Sequence, residues 1–370
     1  MALLVILGIR TAMGETAFND WGWRIPFLLS AILLVISIWI RLQLAESPLF
    51  QKMKEEGTQS KAPLKEAFGT WSNAKIAILA LFGATAGEAV VWYGGQFYAL
   101  FFLTQTIKVN PVTAQIMIAI ALAIATPGFI FFGWLSDKIG RKPIMMAGFL
   151  LAVVTYFPLF QGITHFANPA LERALATSPV TVVADPATCS FQLKLTGTES
   201  YTTPCDVAKS ALVARSVNYA NETAAAGSPV VVKVGGQSLT AGTPTFVKEL
   251  NDAITKHGYP ASANPAEINH VMTVVLLTIL VIYVTMVYGP IAAWLVELFP
   301  TRIRYTGMSL PYHIGNGWFG GFLPATVFAI VAATGNIYSG LWYPIVVAAG
   351  SFVIALIFLP ETKDRDINRI

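Results

Sequence analysis

The sequence predicts an all-α polytopic membrane protein that carries a small α+β domain outside the bilayer. Three observations lead there. Charged residues make up only 12% of the chain, against an ordinary share of about 25%, while 55% is hydrophobic and mean hydropathy is +0.62. Seven apolar runs reach the roughly 20 residues that a helix needs to cross about 30 Å of hydrocarbon. One long segment, residues 163–269, contains no such run. So few charges cannot cover a soluble surface of this size, which excludes a soluble enzyme. The net charge of +4 is small and its basic residues do not cluster as a nucleic-acid groove would require. With 2 cysteines, neither a disulfide scaffold nor a multi-cysteine metal site can be built.

The predicted spans are residues 23–44, 75–104, 112–135, 143–162, 271–297, 307–333 and 340–360. An eighth apolar run, Ala2–Ile9, is too short to cross alone, and no basic stretch precedes it as in a signal peptide. It reads as the outer end of a helix whose beginning is missing. Orientation follows from Lys and Arg in the short loops. If the loop after residue 44 is cytoplasmic, that side holds Arg41, Lys52, Lys54, Lys61, Lys65, Lys75, Lys138, Arg141, Lys142, Arg302, Arg304, Lys363, Arg365 and Arg369. The other side holds only Arg10, Arg24 and Lys108, and the asymmetry decides the topology.

The segment 163–269 has seven basic and eight acidic residues and is rich in Thr, Ala, Ser and Val. Short β-type stretches at Val180–Val183, Phe191–Leu195 and Val230–Val234 precede a helical stretch from Pro244 to His257. The loop charges place this domain outside. Cys189 and Cys205 both lie in it. They read either as a disulfide, which an oxidising periplasm permits, or as two free thiols. The helices on either side need only a short connection there, so removal of residues 168–265 is expected to leave the bundle working.

Between the third and fourth runs the chain reads Gly133-Trp-Leu-Ser-Asp137-Lys-Ile-Gly140-Arg141-Lys142. Glycines suit a hairpin where two helix ends approach closely, and Asp137 with Arg141 can form a charge cluster at the helix ends. The plain alternative is a basic loop that only sets topology. The spacing G-x-L-x-D-x-x-G-R-K resembles the loop signature of the major facilitator superfamily at every position named. Pro290-Ile-Ala-Ala-Trp294-Leu-Val-Glu297 with Phe299-Pro300-Thr-Arg302-Ile-Arg304 and Gly307, and Pro360-Glu361-Thr362-Lys363, resemble its sugar-porter and metabolite:proton symporter members. Trp23–Phe27, Glu46-Ser47-Pro48, Tyr312–Trp318 and Gly320–Phe322 are similar to helix ends of the symporters.

The resemblance covers residues 1–162 and 270–366. It implies a major facilitator fold with a complete C-terminal six-helix half (75–162 and 270–360). Residues 1–44 would then be the end of the N-terminal half, a partial fifth helix and the sixth. Residues 45–74 would be the cytoplasmic linker between halves, 163–269 a periplasmic insertion and 361–370 a cytoplasmic tail. It further implies that the chain is N-terminally truncated and needs the missing helices for a complete transporter.

Charge in hydrocarbon is costly, so deep ionisable residues mark functional positions. Glu88 and His313 are the deep ones in the six spans after residue 74. Glu88, Trp92 and Gln96 at i, i+4 and i+8 form one stripe, and His313 with Asn316 at i+3 another. Both stripes are expected to line the substrate and proton pathway, with Trp294 facing the ligand as the resemblance implies. Packing against neighbouring helices is the bland alternative for each. Gly133, Asp137, Gly140, Arg141, Glu297, Arg302, Arg304 and Glu361 are expected to form a cytoplasmic gate.

The function expected is secondary active transport in a bacterial inner membrane, by proton symport with alternating access. The resemblance implies a small carboxylate or zwitterionic osmolyte as substrate and no cofactor. The runner-up is a non-transporting membrane anchor for a periplasmic sensor, which would not need Glu88, Gln96, His313 or Asn316. An enzyme has no support, because the sequence holds no phosphate loop, metal-ligand spacing or Ser/His/Asp grouping on one side of the membrane.

Overall fold

The computed structural model describes residues 2–44, 46, 48–58, 60–196 and 198–366. Met1, Ser47 and Arg369, used above, lie outside the described residues. Among those described, seven helices are long and apolar enough to cross a membrane. In chain order the helices are α1 (Ala2–Met13), α2 (Gly22–Gln43), α3 (Trp71–Thr106), α4 (Pro111–Ile139) and α5 (Arg141–Ala167). Then come α6 (Pro204–Ala214) and α7 (Phe246–Lys256) of the inserted domain. The last three are α8 (His270–Leu298), α9 (Arg304–Thr334) and α10 (Ser339–Phe358). Short helices at Pro48–Glu55 and Pro63–Gly69 connect α2 to α3.

Local chemistry sets the boundaries. Asn110 and Asn269 place their side-chain oxygens on the first free N–H groups of α4 and α8. Pro111 follows Asn110 at the first helical position, where its missing N–H does no harm. Packing then separates the helices into inner and outer. The apolar window of α3 is 61% buried and that of α2 is 0% buried, so α3 is central and α2 lies on the rim. Around α3, helix α5 packs along α8, and α10 packs against both α3 and α5. Three wide π turns interrupt α3, at Leu81–Thr85, Gly94–Tyr98 and Phe102–Thr106, and a fourth sits in α9 at Gly315–Gly321. Such turns occur where a functional constraint outweighs the regular α-helical hydrogen bonds.

The inserted domain hangs from the end of the bundle opposite the Gly140 hairpin. Its sheet runs β2 (Tyr219–Thr223), β1 (Val180–Ala184), β3 (Val231–Val234), β4 (Gln237–Thr240). Strand β1 pairs parallel with β2 (Val180 opposite Tyr219) and antiparallel with β3 (Val180 opposite Val234). Val180, Val182 and Ala184 alternate inward, as a half-buried strand requires. Gly235 and Gly236, both with positive φ, close the β3–β4 hairpin in two residues.

One expectation fails here. Phe191–Leu195 is not a strand, because its backbone bonds locally: Leu193 N–H donates to the Phe191 carbonyl (2.8 Å) and the Leu193 carbonyl accepts from the Tyr201 hydroxyl (2.8 Å). Ser190 donates its N–H to Asp206 (2.7 Å), and Gln192 accepts from the Ser210 hydroxyl (2.7 Å). The domain is also bonded to the ends of two spans. The Ser216 hydroxyl donates to the Thr106 carbonyl, Ala263 N–H to Lys108 O (2.9 Å), and Tyr219 N–H to Gly335 O (2.7 Å). The domain therefore grips the ends of α3 and α9 together. Cys189 and Cys205 are joined in a disulfide that ties the 189–195 loop to the start of α6.

Candidate functional site

Two constellations stand out, one in the middle of the bundle and one at the Gly140 end. In the first, Glu88 on α3 is fully buried, and its Oε2 accepts from Asn316 Nδ2 on α9 at 3.2 Å. Among the described residues its Oε1 has no partner and no basic group lies within ion-pair distance. Asn316 also donates to the Tyr312 carbonyl, and the Tyr312 and Tyr288 hydroxyls meet at 3.2 Å. Tyr288 on α8 stacks on Trp92, ring centroids 5.6 Å apart. A polar and aromatic seam thus joins α3, α8 and α9. Half-buried Gln96 lies one turn beyond Trp92 on α3.

The seam differs from the two stripes expected. His313 is exposed, its ring edge-on to Tyr312, and does not join Asn316. The π turn that begins at Gly315 lies between them and breaks the i, i+3 alignment of a regular helix. Trp294 is 0% exposed, and its indole N–H donates to the Pro360 carbonyl at 3.2 Å. It therefore belongs to the end cluster and does not face the Glu88 seam. Tyr288 and Tyr312 were not singled out from the sequence. The signal available was their place one helical turn or less from Pro290 and Asn316.

At the Gly140 end, Arg141 is the hub. Its guanidinium pairs with Asp137 and with Glu297 Oε1 (3.0 Å) and reaches Ser136 Oγ at 3.1 Å. Arg141 and Glu297 are both nearly buried, so each neutralises the other where water is scarce. Glu361, beyond α10, caps α5 from outside the helix. Its carboxylate accepts the N–H groups of Arg141 and Lys142 at 3.0 Å each, at the positive end of the helix dipole. Lys142 Nζ returns the contact by donating to the Leu356 and Leu359 carbonyls at the negative end of α10. The Thr362 hydroxyl donates to Glu297.

Gly140 is required on two counts. Its φ is +114°, and a Cβ there would lie 2.3 Å from Glu361 Oε2. Gly133 is different, since a Cβ on it would meet nothing within 4 Å, and the tight partner in that helix crossing is Gly289 on α8. Arg302 and Arg304 stay apart from the hub. Arg302 pairs with Glu66 (2.9 Å) of the connecting segment, and Arg304 donates to the Phe299 carbonyl (3.1 Å). Of the eight residues expected to form a gate, the structure brings Asp137, Gly140, Arg141, Glu297 and Glu361 together, with Lys142 and Thr362 beside them.

Residues 4–170 match the family profile described as Major Facilitator Superfamily, and residues 253–370 that described as Sugar (and other) transporter. An alpha-ketoglutarate permease of Escherichia coli strain K12 is 30% identical over 50% of this chain and 41% of its own length. A protein of Haemophilus influenzae named for metabolite transport is 26% identical over 98% of this chain and 59% of its own. A proline/betaine transporter of Escherichia coli strain K12 is 32% identical over 42% of this chain and 32% of its own. This chain thus spans less than two thirds of the length of these relatives. No solved structure matches it significantly.

Proposed function

We propose that this chain, which belongs to the major facilitator superfamily, serves secondary active transport of a small carboxylate or zwitterionic metabolite. The relatives named for ketoglutarate, proline and betaine support that substrate class. It is a multi-pass membrane protein. We place it in a bacterial inner membrane with the Gly140 end cytoplasmic and the inserted domain periplasmic, as the loop charges favour.

One observation carries the mechanism: a fully buried carboxyl, Glu88, bridged to a neutral amide on another span and left with a free oxygen. A membrane helix tolerates such a group poorly unless it works, and a carboxyl without a cation is suited to carry a proton. The Asn316 amide can bond either protonation state of Glu88, and Trp92, Tyr288 and Tyr312 give the adjoining wall aromatic faces and hydroxyls. In this reading protonation of Glu88 and occupancy by substrate are coupled through Asn316. The Arg141–Glu297–Glu361 cluster holds the cytoplasmic side closed in one state of an alternating-access cycle and opens in the other.

The test is uptake in right-side-out vesicles from cells expressing the gene with its native upstream sequence. Labelled 2-oxoglutarate, proline and betaine are offered with and without an imposed pH gradient. Accumulation should follow the gradient, and Glu88→Gln should abolish accumulation while leaving substrate counterflow. Gradient-driven accumulation by Glu88→Gln equal to that of the parent would refute the role of Glu88. An inserted, folded protein that moves none of the three substrates would refute the substrate class.

A further inference from the structure

A cavity of about 510 Å³ lies at the far end of the bundle, where the inserted domain meets α3 and α9. That volume is within the range of about 300–1,000 Å³ usual for small-molecule sites. Three parts of the fold build its wall: the outer end of α3 with the turn after it, the inserted domain, and α9. Its charged groups are Lys108 and Lys194, and no acidic residue lines it. Neither ammonium has a carboxylate within 4 Å among the described residues. Lys108 is half-buried and Lys194 exposed, so the cavity presents two cations of one sign to an entering ligand.

Lys108 is held rigidly. Its backbone is left-handed (φ 58°), its carbonyl accepts from Ala263 N–H, and Ile107 and Val109 on either side are fully buried. Burial, and then the nearby Arg215 guanidinium, hold its ammonium below the usual lysine range. Arg215 adds positive charge there: its two Nη groups donate to Asn251 (3.0 Å) and Thr255 (3.2 Å), while its buried Nε has no partner among the described residues. Gln105 offers a further amide donor at the rim. The rest of the wall includes Val213, Ala325 and Phe328, which suit a hydrocarbon chain.

We propose that this cavity is a vestibule that binds a small organic carboxylate, its charged groups on Lys108 and Lys194 and its carbon skeleton against α9. The inference rests on the transport reading but concerns a different place. Gln105 is seventeen residues beyond Glu88 on the same helix, about 25 Å at 1.5 Å per residue. The cavity and the seam share two helices, since α3 and α9 also carry Glu88 and Asn316. The inserted domain thereby contributes one of the two cations, which gives this otherwise unexplained domain a role in recruiting substrate.

Calorimetric titration of the purified, nanodisc-embedded chain with glutarate tests this, with uncharged glutaramide and inorganic sulfate as comparison ligands. Glutarate should bind and glutaramide should not. The double variant Lys108→Gln/Lys194→Gln should weaken glutarate binding by at least about tenfold. Lys108→Arg/Lys194→Arg should restore it, which separates lost charge from lost folding. Raising NaCl from about 20 to about 300 mM should weaken binding several-fold, since the pair is reached by solvent. Glu88→Gln should leave this binding unchanged even where it stops accumulation, so failure of the transport reading would be distinguishable. Equal glutarate affinity in the double glutamine variant would overturn the proposal. So would loss of binding in Glu88→Gln, or sulfate binding as tightly as glutarate.

Discussion

Glu361→Ala removes the carboxylate that caps α5 without touching any span. Four N–H groups lose their acceptor: those of Arg141 and Lys142, and those of Thr362 and Lys363 in its own turn. Loss of a capping side chain costs about 0.5–2 kcal/mol, and loss of a negative charge at a helix N-terminus about 0.3–1 kcal/mol more. Glu361 is exposed, but four N–H groups share its carboxylate, so the upper part of the combined range applies, about 2 kcal/mol. That corresponds to a rise of about thirtyfold in the opening equilibrium of the first turn of α5. Hydrogen exchange of purified protein reads this directly, because exchange at a locally opening turn tracks its opening free energy. The amides from Arg141 to Met145 should exchange about thirtyfold faster, while those in the middle of α5 stay within twofold. Glu361→Gln keeps an acceptor without the charge and should fall between the two. Exchange of the first turn unchanged in Glu361→Ala would refute the capping argument, and faster exchange along all of α5 would mean that Glu361 supports global packing instead.

Two further outcomes follow from the geometry. Gly140→Ala must strain a backbone at φ +114° and push aside Glu361, so it should destabilise by about 2–4 kcal/mol, whereas Gly133→Ala, with open space, should shift stability by less than about 1 kcal/mol; thermal melts of the two variants side by side check this, and equal losses would contradict it. In the inserted domain, burial opposes the Asp206 charge, but bonds from Ser190, Thr203 and Gln192 outweigh it and hold the carboxyl below its usual 3.8. A depressed folded value means that Asp206 stabilises the domain fully above pH 3.8 and loses that contribution as pH falls through the lower folded value. Limited proteolysis of residues 169–268 should accordingly stay flat from neutral pH to about 4 and rise below it, and Asp206→Asn should remove that rise; a rise centred well above pH 4 would assign the acid sensitivity to other groups.

The spans were legible because crossing a bilayer is a local demand: some 20 apolar residues in a row, whatever they pack against. Each of the seven spanning helices overlaps a run visible in the sequence, extended by a turn or so where capping residues such as Asn110 and Asn269 set the ends. Strands β1 and β3 were legible from their alternating valines. Strand β4 was signalled only by Gly235-Gly236, and β2, Tyr-Ala-Asn-Glu-Thr, carries no apolar alternation at all and owes its strand to pairing with β1. Glu88, Asp137, Arg141 and Glu361 could be picked out individually, because charge in or beside an apolar helix is conspicuous by itself.

What each of them meets was decided by tertiary structure. Glu88 and Asn316 are 228 positions apart, and Arg141 and Glu361 are 220 apart. Helical periodicity fixes the angle between two side chains on one helix, but not which neighbouring helix that angle faces. Even the angle fails where a π turn intervenes, which is why His313 points outward while Asn316 points to Glu88, and why a Trp294 read as ligand-facing is buried under Pro360. Lys108 and Lys194 show the same limit most plainly. In sequence each is one more basic residue, one in a turn and one in an inserted domain. Only the folding of that domain onto the ends of α3 and α9 sets two unpaired ammoniums at one cavity.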